Sequence, residues 1–131
     1  MIIPLAKHEY LKSEINGFVA LDRNWDGYGA IALFPTIGAT AHQLFVMLGS
    51  AFVDKVTDIF PNPHGTLTIE WENRACEKLG LEIGVDNYSY FINYNVGQPL
   101  LVNGQDILFD FKDFAQNLET LLRDEIQKHV L

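Results

Sequence analysis

Thr66-Leu67-Thr68-Ile69-Glu70-Trp71-Glu72 decides the fold. Leu67, Ile69 and Trp71 point one way and Thr68, Glu70 and Glu72 the other, the alternation of a strand with one buried face. Leu79, Leu81, Ile83 and Val85 repeat it, and so do Tyr88, Tyr90, Ile92, Tyr94 and Val96. Three such runs in succession predict an antiparallel meander.

The turns set the register. A five-residue loop from Asn73 to Glu77 places Trp71 against Leu79, Ile69 against Leu81 and Glu72 against Lys78. Thr68 then faces Glu82, and Glu70 faces Gly80. A two-residue turn at Asp86-Asn87 pairs Val85 with Tyr88, Ile83 with Tyr90, Leu81 with Ile92 and Leu79 with Tyr94. Each pair is apolar or aromatic, as neighbours on a buried face should be. A slip of one residue would turn the polar set inward. Asn103-Gly104 reads as a further type I′ hairpin, pairing Leu100 with Ile107 and Val102 with Gln105 after a Gly97-Gln98-Pro99 loop. The expected sheet has four to five strands.

Outward from the strands the period lengthens. Pro61-Asn62-Pro63-His64-Gly65 is an extended connector, because two prolines fix φ and remove backbone donors. Before it, Ile37, Ala41, Leu44, Phe45, Leu48 and Phe52 form the apolar stripe of a helix. That helix opens at Pro35, which suits a first helical position, and frays between Phe52 and Thr57. Leu11, Ile15, Phe18 and Val19 mark an earlier helix over residues 5–21. After the strands, Asp110 reads as an N-cap, with Asp113 in the first turn. Phe111, Phe114, Leu118, Leu121, Leu122 and Ile126 give a last helix its apolar face, and Lys128 and His129 fall at its C-terminal end. The prediction is a single α+β domain over 1–131, two layers deep, with two N-terminal helices, the meander and one C-terminal helix.

Composition narrows the function. A chain of 131 residues with 48% hydrophobic content can bury a core without disulfides or metal. Its net charge of −8 repels phosphate backbones, so nucleic acid is not an expected partner. The same charge suits a basic partner or simply keeps the protein in solution, and with no acidic run long enough to form a tail the second reading is the default. Cys76 is alone, which excludes a disulfide framework and a CxxC metal pair. No run approaches the ~18 apolar residues of a membrane span. The apolar start, Met1 to Leu5, is too short for a signal peptide. A cytoplasmic protein without cofactor is expected.

Asn24-Trp25-Asp26-Gly27-Tyr28-Gly29-Ala30 joins the first two helices. Asp26-Gly27 is turn chemistry, since a short carboxylate accepts nearby backbone N–H groups while glycine takes positive φ. In one reading Trp25 and Tyr28 anchor the loop by burying aromatic area. In the other, the same residues form an exposed platform with Asp26 as its charged contact.

The outer sheet face is expected to carry Thr68, Glu70, Glu72, Glu82, Asn93 and Asn95, a solvated polar surface. Phe91, Leu101 and Leu108 intrude on it, either as scattered surface residues or, if they cluster, as a contact patch for a partner or a second copy. His8, His42, His64 and His129 have no ligand spacing, and no GxSxG, P-loop, GxGxxG or HExxH is present. No metal site is expected, and whether any reaction is catalysed stays open.

The loop at residues 24–30 and the later Gly65-Thr66-Leu67-Thr68-Ile69-Glu70-Trp71 strand resemble a group of small uncharacterised bacterial proteins. Members share an NWDGYGA loop and a Gly-x-aliphatic-x-aliphatic-Glu-Trp strand, and the similarity covers roughly residues 10 to 85. Phe34 departs from the polar cap expected before Pro35. The resemblance implies a bacterial cytoplasmic setting and no particular activity, and it singles out Trp25, Asp26, Tyr28, Glu70 and Trp71 as binding residues. It also raises the expectation that the loop and the strand lie together, joined through Asp26 or Glu70. The leading expectation is a non-catalytic protein-binding or accessory module using the Trp25–Gly29 loop. The alternative is a small enzyme with Asp26, Tyr28, Glu70 and His64 around a cleft.

Overall fold

The alternation over the central strands is present in the computed structural model, which describes residues 6–126. Residues 1–5 and 127–131 lie outside the described residues, and with them the placing of Lys128 and His129. A helix α1 (Lys7–Val19) leads through the tryptophan loop to α2 (Pro35–Leu48) and a single turn α3 (Ser50–Val53). Five strands follow, β1 (Val56–Pro61), β2 (Leu67–Glu72), β3 (Lys78–Ile83), β4 (Tyr88–Asn93) and β5 (Leu100–Gly104), and then α4 (Phe111–Ile126). The sheet is an antiparallel meander in chain order, β1-β2-β3-β4-β5. The architecture is α+β, as expected.

Register between β2 and β3 is the one the loop length dictates: Trp71 pairs with Leu79, Ile69 with Leu81, Thr68 with Glu82 and Glu72 with Lys78. Leu67, Ile69, Trp71, Leu79, Leu81, Ile83, Tyr88, Tyr90 and Ile92 are all buried under the helices. Trp71 sits edge-on to Phe114 of α4, 5.8 Å between ring centres, and its indole N–H donates to the Phe52 carbonyl at 3.0 Å.

Three details differ from the sequence reading. First, the β3–β4 turn spans Gly84 to Asn87, closed by Gly84 N–H to Asn87 O at 2.8 Å. Ile83 therefore pairs with Tyr88 and Leu81 with Tyr90, a shift of two residues from the expected pairs. A shift of two preserves which side chains face inward. Val85 falls in the turn and is exposed.

Second, the long second helix stops at Gly49, whose φ of 83° no helix accommodates, and a strand β1 forms where fraying was expected. A bulge explains why this strand has no visible period. Val56 pairs with Trp71 and Asp58 with Glu70, so Thr57 is the extra residue, and parity changes within the strand.

Third, Asn103-Gly104 makes no hairpin. Gly104 ends β5 opposite Tyr88, and a Cβ there would lie 2.5 Å from the Tyr88 ring and hydroxyl. Glycine serves close approach here rather than a turn. Among the described residues no strand follows β5, and Leu108, expected on the outer face, is half-buried against the core. Asp110 does precede α4, and its carboxylate receives the Tyr88 hydroxyl at 2.5 Å.

The α1–α2 contact carries a pH dependence. His42 of α2 has Nε2 at 3.3 Å from the Asn16 carboxamide oxygen of α1, while its Nδ1 is buried without a partner. Protonation would give that buried nitrogen an N–H with nothing to receive it. Burial, followed by the charges of Lys12 and His8, holds the His42 pKa below its ordinary 6.5. A histidine depressed in the fold gives stability that is complete above the unfolded value. The loss begins as pH falls below about 6.5, where the unfolded chain takes up the proton first. Denaturation midpoints measured from pH 7.5 to 5 should fall with acid, and His42→Gln should flatten that part of the slope.

Candidate functional site

The loop from Asn24 to Ala30 is closed on itself by its own polar groups. Asn24 takes φ 63°, and its side-chain oxygen accepts the Gly29 N–H at 2.6 Å. Its backbone N–H donates to Ala30 O at 2.7 Å, and its carbonyl accepts Gly27 N–H at 3.0 Å. Asp26 Oδ1 accepts from Tyr28 N–H at 2.8 Å and from Ala30 N–H at 3.1 Å. Gly27 and Gly29 supply positive φ at 80° and 89°. The half-buried Trp25 donates its indole N–H to Ile31 O at 3.2 Å.

The two readings of this loop divide by residue. Asn24, Trp25 and Asp26 build it, whereas Tyr28 is 93% exposed at its tip. A tyrosine on a backbone this fully bonded loses little conformational freedom when it contacts something. Behind it the chain lines a shallow apolar groove of about 630 Å³ between Val19, Arg23 and residues 29–35, rimmed by the exposed side chains of Ile31 and Phe34.

The loop segment does meet the connector, through Ile31 N–H to Pro63 O at 2.7 Å. That bond is backbone to backbone. Asp26 bonds within its own loop, and Glu70 on the outer sheet face lies 3.4 Å from Lys78 Nζ. Trp71 is fully buried and reaches no surface. Of the five residues singled out, the structure presents Tyr28 to solvent, uses Trp25 and Asp26 to hold it, and places Glu70 and Trp71 in the sheet. No hydrogen bond joins Glu70 to Asp26 or Tyr28, and the bond between those two is the loop's own, from the Tyr28 backbone N–H to the Asp26 carboxylate.

A second cluster lies where the connector meets the sheet. His64 Nε2 is 2.6 Å from Glu82 Oε2 and 3.0 Å from Thr66 Oγ1, and Thr66 Oγ1 donates to the same carboxylate oxygen at 2.6 Å. Asn62 fixes the pair beneath, donating to Thr66 Oγ1 at 2.9 Å and Thr68 Oγ1 at 2.7 Å. Burial pushes the Glu82 pKa up, but the hydrogen bonds from Thr66 and His64 and the His64 charge outweigh it, leaving the carboxyl below its ordinary value. These side chains line one wall of a cleft of about 400 Å³ completed by Asn87, Ser89 and Asn103.

The arrangement can hold a polar ligand. It does not present Thr66 as a nucleophile in the triad manner, because that needs the nucleophile and the orienting carboxylate on opposite nitrogens of the histidine base, and here Thr66 and Glu82 both meet Nε2. The sequence contained a signal for this cluster. Residues 64, 66 and 68 share the outward parity, and the predicted Thr68–Glu82 pairing puts Glu82 diagonal to Thr66.

Among the described residues, no three His, Cys, Asp or Glu side chains gather as a metal site, and no helix is long and apolar enough to cross a membrane. Cys76 is exposed in the β2–β3 loop. Fold and loop together define a two-layer α+β domain that displays an aromatic residue on a rigid turn. No protein-family model, curated protein or solved structure matches the chain.

Proposed function

We propose that this chain is a non-catalytic protein-binding or accessory module whose contact surface is the Trp25–Gly29 loop and the groove behind it. The observation that carries this reading is Tyr28, 93% exposed yet mounted on a backbone closed by its own side chains. Interface hot spots are enriched in such rigid aromatics. A charge pattern supports it. The chain has 26 charged residues, 9 basic and 17 acidic, but no Asp, Glu, Lys or Arg occurs between Gly27 and Val53. Tyr28, Ile31, Phe34, Val46 and Met47 are exposed in that neutral stretch. The partner fitting it offers an apolar slot for Tyr28, and basic flanks would be steered by the surrounding negative charge. The resemblance of the NWDGYGA loop supports a bacterial cytoplasmic setting as part of this reading.

The test is affinity purification of the tagged chain from its native host, wild type beside Tyr28→Ala, followed by titration of the purified pair. A partner should be held by wild type, and Tyr28→Ala should weaken it by about 2 kcal/mol or more, roughly thirtyfold in Kd. Its circular dichroism and Tm should not change. Equal binding by both proteins would remove the loop from the interface. The second reading, a site for a small polar ligand or substrate, rests on the His64–Thr66–Glu82 cluster and its cleft. Absence of any protein partner would favour it.

A further inference from the structure

The meander leaves two edges, and they are not alike. At β1 the edge carries Asp58, a bulge at Thr57 and a terminal Pro61, devices that keep a strand from pairing with a stranger. β5, reading Leu100-Leu101-Val102-Asn103-Gly104, has no charge, no proline and no bulge. From Asn87 to Gln105 the sequence contains no Asp, Glu, Lys or Arg. Leu101 is 67% exposed beside its cross-strand neighbour Phe91. Leu100 and Val102, on the inner face, are only half-covered at the rim of the core.

We propose that the protein forms a two-fold dimer by antiparallel pairing of β5 with β5 of a second copy, joining the two sheets into one. Charge selects this occupant. Two chains of net charge −8 repel each other, and β5 itself carries no charge, so the strand can pair with its copy without setting like charges in register. A basic partner would gain nothing from a neutral edge. Geometry agrees, since a pairing centred on Val102 is self-complementary, as a two-fold interface requires. Val102 faces the partner's Val102, Leu100 faces the partner's Gly104, and Leu101 faces the partner's Asn103. The inner face then continues the core across the axis through the two Val102 side chains.

Sedimentation equilibrium on the full chain over a wide concentration range tests the association. The expected mass is twice the 14.8 kDa of one chain. Leu101→Lys with Asn103→Lys sets like charges opposite each other twice and should weaken the dimer at least about tenfold. Both side chains are exposed, so the fold should persist. The register has its own readout in a Cys76→Ser background. Val102→Cys should form an intermolecular disulfide on mild oxidation, since facing Cα atoms in an antiparallel pair fall within disulfide range. Thr36→Cys, on α2, should not. A monomer at all concentrations, a dimer indifferent to the two lysines, or cross-linking as strong through Thr36→Cys would each overturn the proposal. So would dissociation by Tyr28→Ala, which would make the tryptophan loop the self-contact instead.

Discussion

Trp71→Ala is expected to cost about 3–5 kcal/mol of unfolding free energy, the range for removing a large aromatic from a core. Trp71 has no exposed surface, sits near the C-terminal end of β2, packs edge-on to Phe114 and ties α3 to the sheet through the Phe52 carbonyl. Its removal leaves a cavity between sheet and helices, and the Phe52 carbonyl loses its side-chain donor. For a domain of this size such a loss approaches half the total stability. Urea unfolding should show a lower midpoint with an unchanged slope. Trp71→Phe should recover much of the packing but not the hydrogen bond. A loss below about 1 kcal/mol for the alanine variant would mean that Trp71 is not the centre of the core.

Tyr88→Phe should cost about 1.5–3 kcal/mol, the range for a hydrogen bond to a charged group. The hydroxyl donates to Asp110 at 2.5 Å and thereby ties β4 to the start of α4, while the ring stacks on Tyr90, 6.2 Å between centres. The variant keeps the ring, so the loss reads the hydroxyl alone. A signature in pH accompanies it. Burial, and after it the hydrogen bond and charge of Asp110, drive the Tyr88 pKa far above its ordinary value of 10.0. A group raised in the fold gives stability that is complete below its unfolded pKa and lost as pH rises beyond it. Wild-type stability should therefore decline above about pH 10. Tyr88→Phe should remove the larger part of that decline, leaving what Tyr90 contributes through its own burial. An unchanged alkaline slope would exclude Tyr88 as its source.

The three central strands were legible because each alternates cleanly and faces one apolar layer. β1 was not, because the bulge at Thr57 changes parity within a strand of only six residues, leaving no period to read. The Asn103-Gly104 signal misled for a different reason. Local turn chemistry pointed to a hairpin, but the glycine is required by a tertiary contact, the approach of the Tyr88 ring. At the loop, Asp26-Gly27 as turn chemistry was readable, whereas the outward aim of Tyr28 depends on how the loop closes. The apolar groove was hidden for a related reason. Phe34 breaks the capping rule at the start of α2 and remains exposed, so its position obeys neither local helix chemistry nor burial. The His64–Thr66–Glu82 cluster needed only the outward parity carried two residues further back.

The order of the strands has a kinetic consequence. Every strand pairs with its neighbours in sequence, so each step of sheet formation closes a short loop and forms contacts of small sequence separation. The meander can assemble by adding one hairpin at a time, starting where the turns are shortest, without first bringing distant segments together. The two ends of the chain are the slower partners. α1 and α4 come from opposite sides of the sheet in sequence and must both dock on the same layer. Sheet first and helices last is thus the sequence of events that this topology favours.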